Sequence, residues 1–241
     1  MKNILITGVS QGLGLALARA VLAQGWSVSG VSRRLSGEYD ALQREHGDRA
    51  RFHAFDLSRT DEVKAELFDK FLPFESPLNG YVNNAAGAYD DIVTNLDAAR
   101  LRAMYEINVF APMLITKYAI RHMLFNQVAG SIVHISSISV HTGYKGLAMY
   151  ASTKGALEAF SKNTAREWGE RGIRSNCVVA GFMETAMTAK LSDEQRQRIY
   201  KRTTLKKPTS LESVASTVVH LLGEGATSIT GQNVVVDGGA I

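Results

Sequence analysis

The segment that most limits how this chain can fold is its first turn. Ile4-Leu5-Ile6 is followed by Thr7-Gly8-Val9-Ser10-Gln11-Gly12-Leu13-Gly14 and then by the apolar run Leu15–Leu22. A short apolar run bounded by turn residues reads as a buried strand, and the longer run reads as a helix. Glycines at the junction permit a tight turn and let backbone amides approach a phosphate closely. The N-terminus of the helix adds free N–H groups and the positive end of its dipole. A pyrophosphate is therefore a natural guest of Gly8, Ser10, Gln11, Gly12, Leu13 and Gly14. The spacing is G-x-x-x-G-x-G, not the commonest dinucleotide fingerprint, G-x-G-x-x-G. A turn that merely packs a helix on a sheet is the bland alternative, and the flanking strand and helix weigh against it.

The same alternation recurs along the chain. Strand-like runs occupy Asn3–Thr7, Ser27–Ser32, Arg51–Phe55, Gly80–Asn83, Ser131–Ser136, Arg174–Val179 and Asn233–Val236. Helical periodicity fits Leu13–Gln24, Asp61–Phe71, Leu101–Phe125, Met149–Glu170 and Leu211–Leu222. Strands alternating with helices predict an α/β fold: a doubly wound, Rossmann-like parallel sheet of about seven strands with helices on both faces. In open sheets of this kind ligands sit beyond the carboxyl ends of the strands. The first turn, Asn83–Gly87, Ser137 and Ala180–Thr185 all fall there.

Composition narrows the function. At 241 residues with four prolines and no linker, repeat or charge block, the chain reads as one domain spanning residues 1–241. No stretch approaches the ~18–20 apolar residues of a membrane span. The N-terminus enters a strand at once, leaving no room for a signal peptide. One cysteine, Cys177 in an apolar strand, suits a reducing compartment, so a cytoplasmic location is expected. The net charge is +4, with basic residues scattered among 23 acidic ones, which argues against a nucleic-acid partner. No metal site is expected. A denser basic cluster runs through Arg196, Arg198, Lys201, Arg202, Lys206 and Lys207. A solvated face is its default reading; contact with an anionic substrate or an acidic carrier is the alternative.

Two further clusters point to chemistry. The second strand ends Ser32-Arg33-Arg34, where an Asp or Glu would bind the adenosine ribose of NAD and repel a 2′-phosphate. Here the acid is missing and two guanidinium groups stand in its place, each able to grip phosphate through a planar fork. Ser32 adds a hydroxyl, and NADP(H) is the expected cofactor. Downstream, Tyr150 and Lys154 are spaced to share one helix face. A phenol with a pKa near ~10 exchanges protons poorly at neutrality, and a fixed cation beside it favours the phenolate. Bringing it near neutrality takes ~4 kcal/mol of electrostatic help. A hydroxyl from Ser137 would hold a substrate oxygen against the same phenol.

Taken in order, these motifs resemble the short-chain dehydrogenase/reductase family, of the single-domain, old-type group. The likeness spans the chain: Thr7–Gly14, Asp56, Asn83-Asn84-Ala85-Ala86-Gly87, Asn108, Ser137, Tyr150/Lys154, and Ile229-Thr230-Gly231-Gln232 leading to Asp237-Gly238-Gly239. The resemblance implies that Ser137 binds a carbonyl, Tyr150 exchanges the proton, and Lys154 tunes Tyr150 and holds the nicotinamide ribose. It implies that Asn108 holds a water linking Lys154 to solvent; a polar residue that kinks a long helix is the other reading. It selects Ser137 over Ser136. Asp56 and Leu57 would contact adenine, while Asn84, Ala85 and Ala86 would line the ribose. The family writes N-N-A-G where this chain has N-N-A-A-G, so either Asn83 or Asn84 fills the family position. Gly181, Met183 and Thr185 belong to a P-G-x-x-x-T segment with Ala180 in place of proline, and Thr185 would bond the nicotinamide carboxamide. A basic residue that some NADP-preferring relatives carry in the glycine turn is Gln11 here.

The resemblance is greatest to 3-oxoacyl-[acyl-carrier-protein] reductases. It implies a small-molecule carbonyl substrate, either free or linked to acyl carrier protein or CoA, a lid over 184–207, and a homotetramer or homodimer. The turn Asn126–Ser131 lacks the positive charge such enzymes use to dock the carrier. A sugar, polyol or specialised-metabolite dehydrogenase is the second reading. A nucleotide-binding regulatory protein without catalysis is the third.

Overall fold

In a computed structural model describing residues 1–189 and 191–241, seven parallel strands form one sheet in the order β3-β2-β1-β4-β5-β6-β7. They are β1 (Asn3–Thr7), β2 (Ser27–Ser32), β3 (Ala50–Ala54), β4 (Gly80–Asn83), β5 (Ser131–Ser137), β6 (Arg174–Ala180) and β7 (Asn233–Val236). Lys190, inside the expected lid, lies outside the described residues. Ile4, Leu5 and Ile6 are all fully buried, yet they point to opposite faces. Ile4 and Ile6 pack with Val28, Val133 and the helices α1 (Gly12–Ala23), α2 (Gly37–His46) and α8 (Leu211–Leu222). Leu5 packs with Val31, Tyr81 and Ile132 under α4 (Ala111–Phe125) and the helix Lys64–Phe71. Burial on both faces explains why these strands read as continuous apolar runs and not as alternating ones.

The chain winds from β1 outward to β3, then crosses to β4 on the other side of β1. The loops after β1 and β4 therefore diverge and leave a crevice at the carboxyl ends of adjacent strands, in register Ile4↔Gly80 to Ile6↔Val82. On the Tyr81 face α6 (Ala148–Trp168) covers β5 and β6, with Phe160 edge-on to His134.

The helices depart from expectation in several places. The α2 segment was not expected, because it buries only Tyr39 and Leu42, too few for a 3.6-residue stripe. Its ends define it instead. The Ser36 hydroxyl accepts from the Tyr39 N–H, with Glu38 and Asp40 in the first turn and Arg44 and His46 in the last, matching the dipole. Likewise α7 (Asp193–Arg202) buries no residue and is fixed by a capping box between Ser192 and Gln195. The expected helix Leu101–Phe125 is three pieces: α3 (Ala98–Tyr105), a π-helical turn Glu106–Phe110, and α4. Ala111 N–H reaches back to the Glu106 carbonyl, and Pro112 has no N–H to give the Asn108 carbonyl. Similarly, Asp61–Phe71 is a short 3₁₀ turn at Thr60–Glu62 followed by a π-helix over Lys64–Phe71. The small helix α5 (Ser139–Thr142) follows β5 directly.

Candidate active site

A cleft of about 670 Å³ opens at the crevice between β1 and β4. Its floor is the glycine turn, where the geometry makes two glycines obligatory. Gly8 has φ +78°, and a Cβ there would lie 2.9 Å from Ala85 Cα and from Asn84 Nδ2. A Cβ on Gly14 would lie 1.9 Å from the Gly8 carbonyl oxygen, so α1 could not start so close to the turn. Gln11 precedes α1 without a capping bond from its side chain, and the first turn carries no acid. The leading N–H groups of the helix therefore line the cleft unmatched by any described side chain, at the positive end of the dipole. A bound pyrophosphate fits that set of donors.

Asn84 ties the two walls together. Its Nδ2 donates to Thr7 O (3.0 Å) and Gly8 O (3.2 Å), while its own N–H and that of Ala85 donate to Thr7 Oγ1. Asn83 is fully buried and faces His134 at 3.3 Å, away from the cleft. Asn84 is thus the asparagine at the cleft, together with Ala85 and Ala86. On the far side the Ser10 N–H donates to Ser32 Oγ, and Ser10 Oγ donates to Arg34 O at 2.6 Å. Those bonds dock the turn on the end of β2, where Arg33 and Arg34 are exposed and line the cleft. Leu57, Met183 and Thr185 close it.

Four residues expected at the ligand, Asp56, Asn108, Ser137 and Gly181, do not line this cleft. Asp56 turns its carboxylate onto the Ser58 N–H (3.0 Å), and that bond holds it below the usual carboxylate range, with help from Arg33. Gly181 is spent on packing: a Cβ would lie 2.4 Å from Thr209 Oγ1 and 2.6 Å from Asp237 Cα. Asn108 is buried in the π-helical turn, where Oδ1 accepts from Gly87 N–H (2.8 Å) and Nδ2 donates to Gly87 O (2.9 Å) and Thr153 Oγ1 (3.1 Å). Its side chain anchors the Asn84–Gly87 loop to the π-helical turn. Phe55, Ile107 and Ile135 line the cleft without having been anticipated, since nothing in an apolar residue's type marks it as ligand-facing.

At the inner end α6 brings Tyr150 and Lys154 into the cleft wall. Lys154 is 2% exposed; its Nζ donates to Ile135 O at 2.8 Å and stands 5.6 Å from the Tyr150 ring centroid. Burial lowers the Lys154 pKa to about 8. The Tyr150 phenol is pushed up to about 12, first by burial and then by the Asp90 carboxylate. The expected acidification of Tyr150 by Lys154 is therefore absent from the protein alone. The ammonium is committed to a backbone carbonyl, and desolvation of the phenolate outweighs it. His134, behind Lys154, is fully buried and driven down to about 3 by the same effect, with the Lys154 charge adding to it.

Ser137 stands at the β5 terminus, two residues beyond the carbonyl that receives Lys154, and bonds neither Tyr150 nor Lys154 directly. Its Oγ accepts from Ser139 N–H (3.2 Å) and Ser139 Oγ (3.0 Å). Ser136 points elsewhere, into a buried network around Glu158. The Glu158 carboxylate also accepts from Asn233 Nδ2 (2.7 Å) and meets His141 Nε2 at 3.1 Å. Ser139, Asp90 and Glu158 were missed by sequence reading. Asp90 and Glu158 lie in no recognisable motif, and their relation to the site is purely three-dimensional.

Among the described residues, no helix is long and apolar enough to cross a membrane. The family profile described as enoyl-(acyl carrier protein) reductase matches residues 8–240. Nodulation protein G of a Rhizobium species is 34% identical over 99% of this chain and 96% of its own length. The 3-oxoacyl-[acyl-carrier-protein] reductase FabG of Aquifex aeolicus is 31% identical over the same shares. A gluconate 5-dehydrogenase from Burkholderia cenocepacia, solved in complex with NADP and tartrate, superposes with a TM-score of 0.93 at 25% identity, covering 99% of this chain and 94% of that one. With a glycine-floored cleft at the strand crossover and a matching profile over nearly its whole length, this chain belongs to the short-chain dehydrogenase/reductase family of oxidoreductases.

Proposed function

We propose that the protein reduces a ketone to a secondary alcohol with NADPH as hydride source, acting through Ser137, Tyr150 and Lys154. One observation carries the reading: Tyr150 and Lys154 share the wall of the same cleft whose far end bears Arg33 and Arg34. The two guanidinium groups, free of ion pairs to any described carboxylate at contact distance, suit a 2′-phosphate. The NADP named in the gluconate 5-dehydrogenase complex supports the same choice. Bound there, the nicotinamide supplies the hydride, and when oxidised it brings a positive charge to the site.

The protein's own residues handle orientation and the proton. Ser137 donates to the carbonyl oxygen, and Tyr150 gives its proton to the oxygen as negative charge develops. A phenol held near 12 is fully protonated at neutral pH, which suits a proton donor better than a base.

The substrate is a 3-oxoacyl thioester in the first reading, linked to an acyl carrier protein or CoA, as the FabG relative's name suggests. A sugar acid or polyol is the second, favoured by the likeness to a gluconate 5-dehydrogenase. Following NADPH oxidation with acetoacetyl thioesters against a panel of sugar acids, sugars and simple ketones separates them. Tight NADPH binding with no turnover on any carbonyl would instead point to a nucleotide-binding regulatory protein. Arg33→Asp should raise KM for NADPH far more than KM for NADH, and equal effects would defeat the cofactor assignment. The reading also takes residues 1–241 as one catalytic domain, cytoplasmic, assembled as a homotetramer or homodimer. Phe110, 49% exposed where α3 passes into α4, supports a contact there, and light scattering tests it.

A further inference from the structure

We infer that Ser139 is a positioning residue that makes Ser137 a one-way hydrogen-bond donor. The inference rests on the catalytic role proposed for Ser137. A serine hydroxyl has one proton to give and two lone pairs to receive with. Both acceptor sites of Ser137 Oγ are taken by one residue: Ser139 N–H at 3.2 Å and Ser139 Oγ–H at 3.0 Å. What remains is the Ser137 proton, which can only be donated outward. A ketone oxygen, or the alkoxide that forms from it, accepts such a proton. An alcohol hydroxyl offering its own proton finds no free lone pair on Ser137 and must turn to Tyr150. The arrangement thus fixes the carbonyl oxygen as the atom that Ser137 recognises, and it divides labour between the two hydroxyls.

The support behind Ser139 is built in. Ser139 is 3% exposed and opens α5, whose start is pinned by Ile138 N–H donating to Ala180 O at 3.1 Å. The next turn is clamped by His141, whose Nε2 meets the buried Glu158 carboxylate of α6 at 3.1 Å. Glu158 also receives Ser136 of β5 and Asn233 of β7, so one carboxylate of α6 ties together β5, α5 and β7. Ser137 consequently inherits its orientation from the scaffold, and no rotation is needed when substrate arrives.

Ser139→Ala and Ser139→Thr test this in two ways. Removing the hydroxyl frees a lone pair and lets Ser137 rotate; kcat for ketone reduction should fall about tenfold, the scale of one lost orienting hydrogen bond. The NADPH dissociation constant and melting temperature should stay near wild type. Ser139→Thr keeps the hydroxyl and should restore kcat to within about threefold. The second readout needs no substrate: crystal structures should show one Ser137 rotamer in wild type and two or more in Ser139→Ala. An unchanged kcat, a threonine variant as impaired as the alanine one, or a single unchanged rotamer would overturn the inference. A wild-type protein that turns over no carbonyl would refute the functional reading instead, and the rotamer comparison would still decide the role of Ser139.

Discussion

Lys154 should be an instability that the fold tolerates for the sake of the reaction, and Lys154→Met measures how large. The side chain is 2% exposed, and burial brings its pKa from 10.5 to about 8. A lysine with a depressed folded pKa binds its proton less tightly in the native state than in the unfolded one. Below pH 8 both states carry the charge, and the native state bears the full penalty. Between pH 8 and 10.5 the unfolded state holds more protons, so stability climbs with pH, and above 10.5 the penalty is gone. A gap of 2.5 pKa units, at ~1.4 kcal/mol each, gives about 3 kcal/mol. Against it stands the lost bond from Nζ to Ile135 O, whose carbonyl would be left unpaired at a cost of roughly 1–3 kcal/mol. At pH 7 the methionine variant should therefore unfold at the same urea concentration as wild type or a higher one, while ketone reduction collapses. The sharper test is the pH trend: from pH 7 to 10.5 wild type should gain about 3 kcal/mol on the variant. Urea titrations of both proteins across that range decide it. Parallel stability curves would refute the claim that this ammonium is buried and penalised.

Other perturbations bear on separate parts of the site. Gly14→Ala places a Cβ 1.9 Å from Gly8 O and should weaken NADPH binding by at least ~100-fold, read by fluorescence titration, because backbone must move. Glu158→Gln replaces an acceptor of three hydrogen bonds by a group with one acceptor oxygen, and thermal denaturation should show a loss of about 2 kcal/mol. Cys177 is fully buried with its thiol pushed up to about 12 by burial, so the native protein should resist iodoacetamide that labels it in urea. Alcohol oxidation needs the Tyr150 phenolate, so its rate should rise with pH through the range 7 to 10, while a plateau reached below pH 8 would mean that ligand binding overrides burial.

What the residues declared in advance was whatever depends on nearest neighbours along the chain. The seven strands were legible as short runs between turn residues, most of them apolar, and their ends moved by a single residue at β3, β5 and β6. The glycine turn was legible because Gly8 is demanded by its own positive φ and Gly14 by the Gly8 carbonyl, both within the turn. Helices that bury little, α2 and α7, left no hydrophobic period to find; their signals were Ser36 and the Ser192–Gln195 box, which are local but faint. The break at Glu106–Phe110 was marked by Pro112, yet the apolar pattern runs through it unbroken and masks it. Asp56 and Gly181 were placed at the ligand by likeness. Their surroundings, Ser58 in one case and Thr209 with Asp237 in the other, came from parts of the chain that the motif does not contain.

The same distinction decides the electrostatics of Tyr150. A four-residue spacing on a helix guarantees that a phenol and an ammonium are neighbours, and from neighbourhood alone the phenol should become more acidic. Spacing is silent on two quantities that set the sign: how much water each group loses, and what else the ammonium bonds. Here Lys154 spends its nearest donor on Ile135 O, and Asp90, arriving from the β4 loop, adds a charge of the wrong sign beside the phenol. The protein by itself therefore holds Tyr150 protonated and Lys154 close to losing its proton, the reverse of a standing tyrosinate–ammonium pair. A site in this state donates a proton readily to a developing alkoxide, which is far more basic than the phenol. It abstracts one from an alcohol only when a bound positive charge offsets the burial. The protonation state held by the protein alone thus follows from desolvation, which the sequence cannot display, and not from the tyrosine–lysine spacing, which it can.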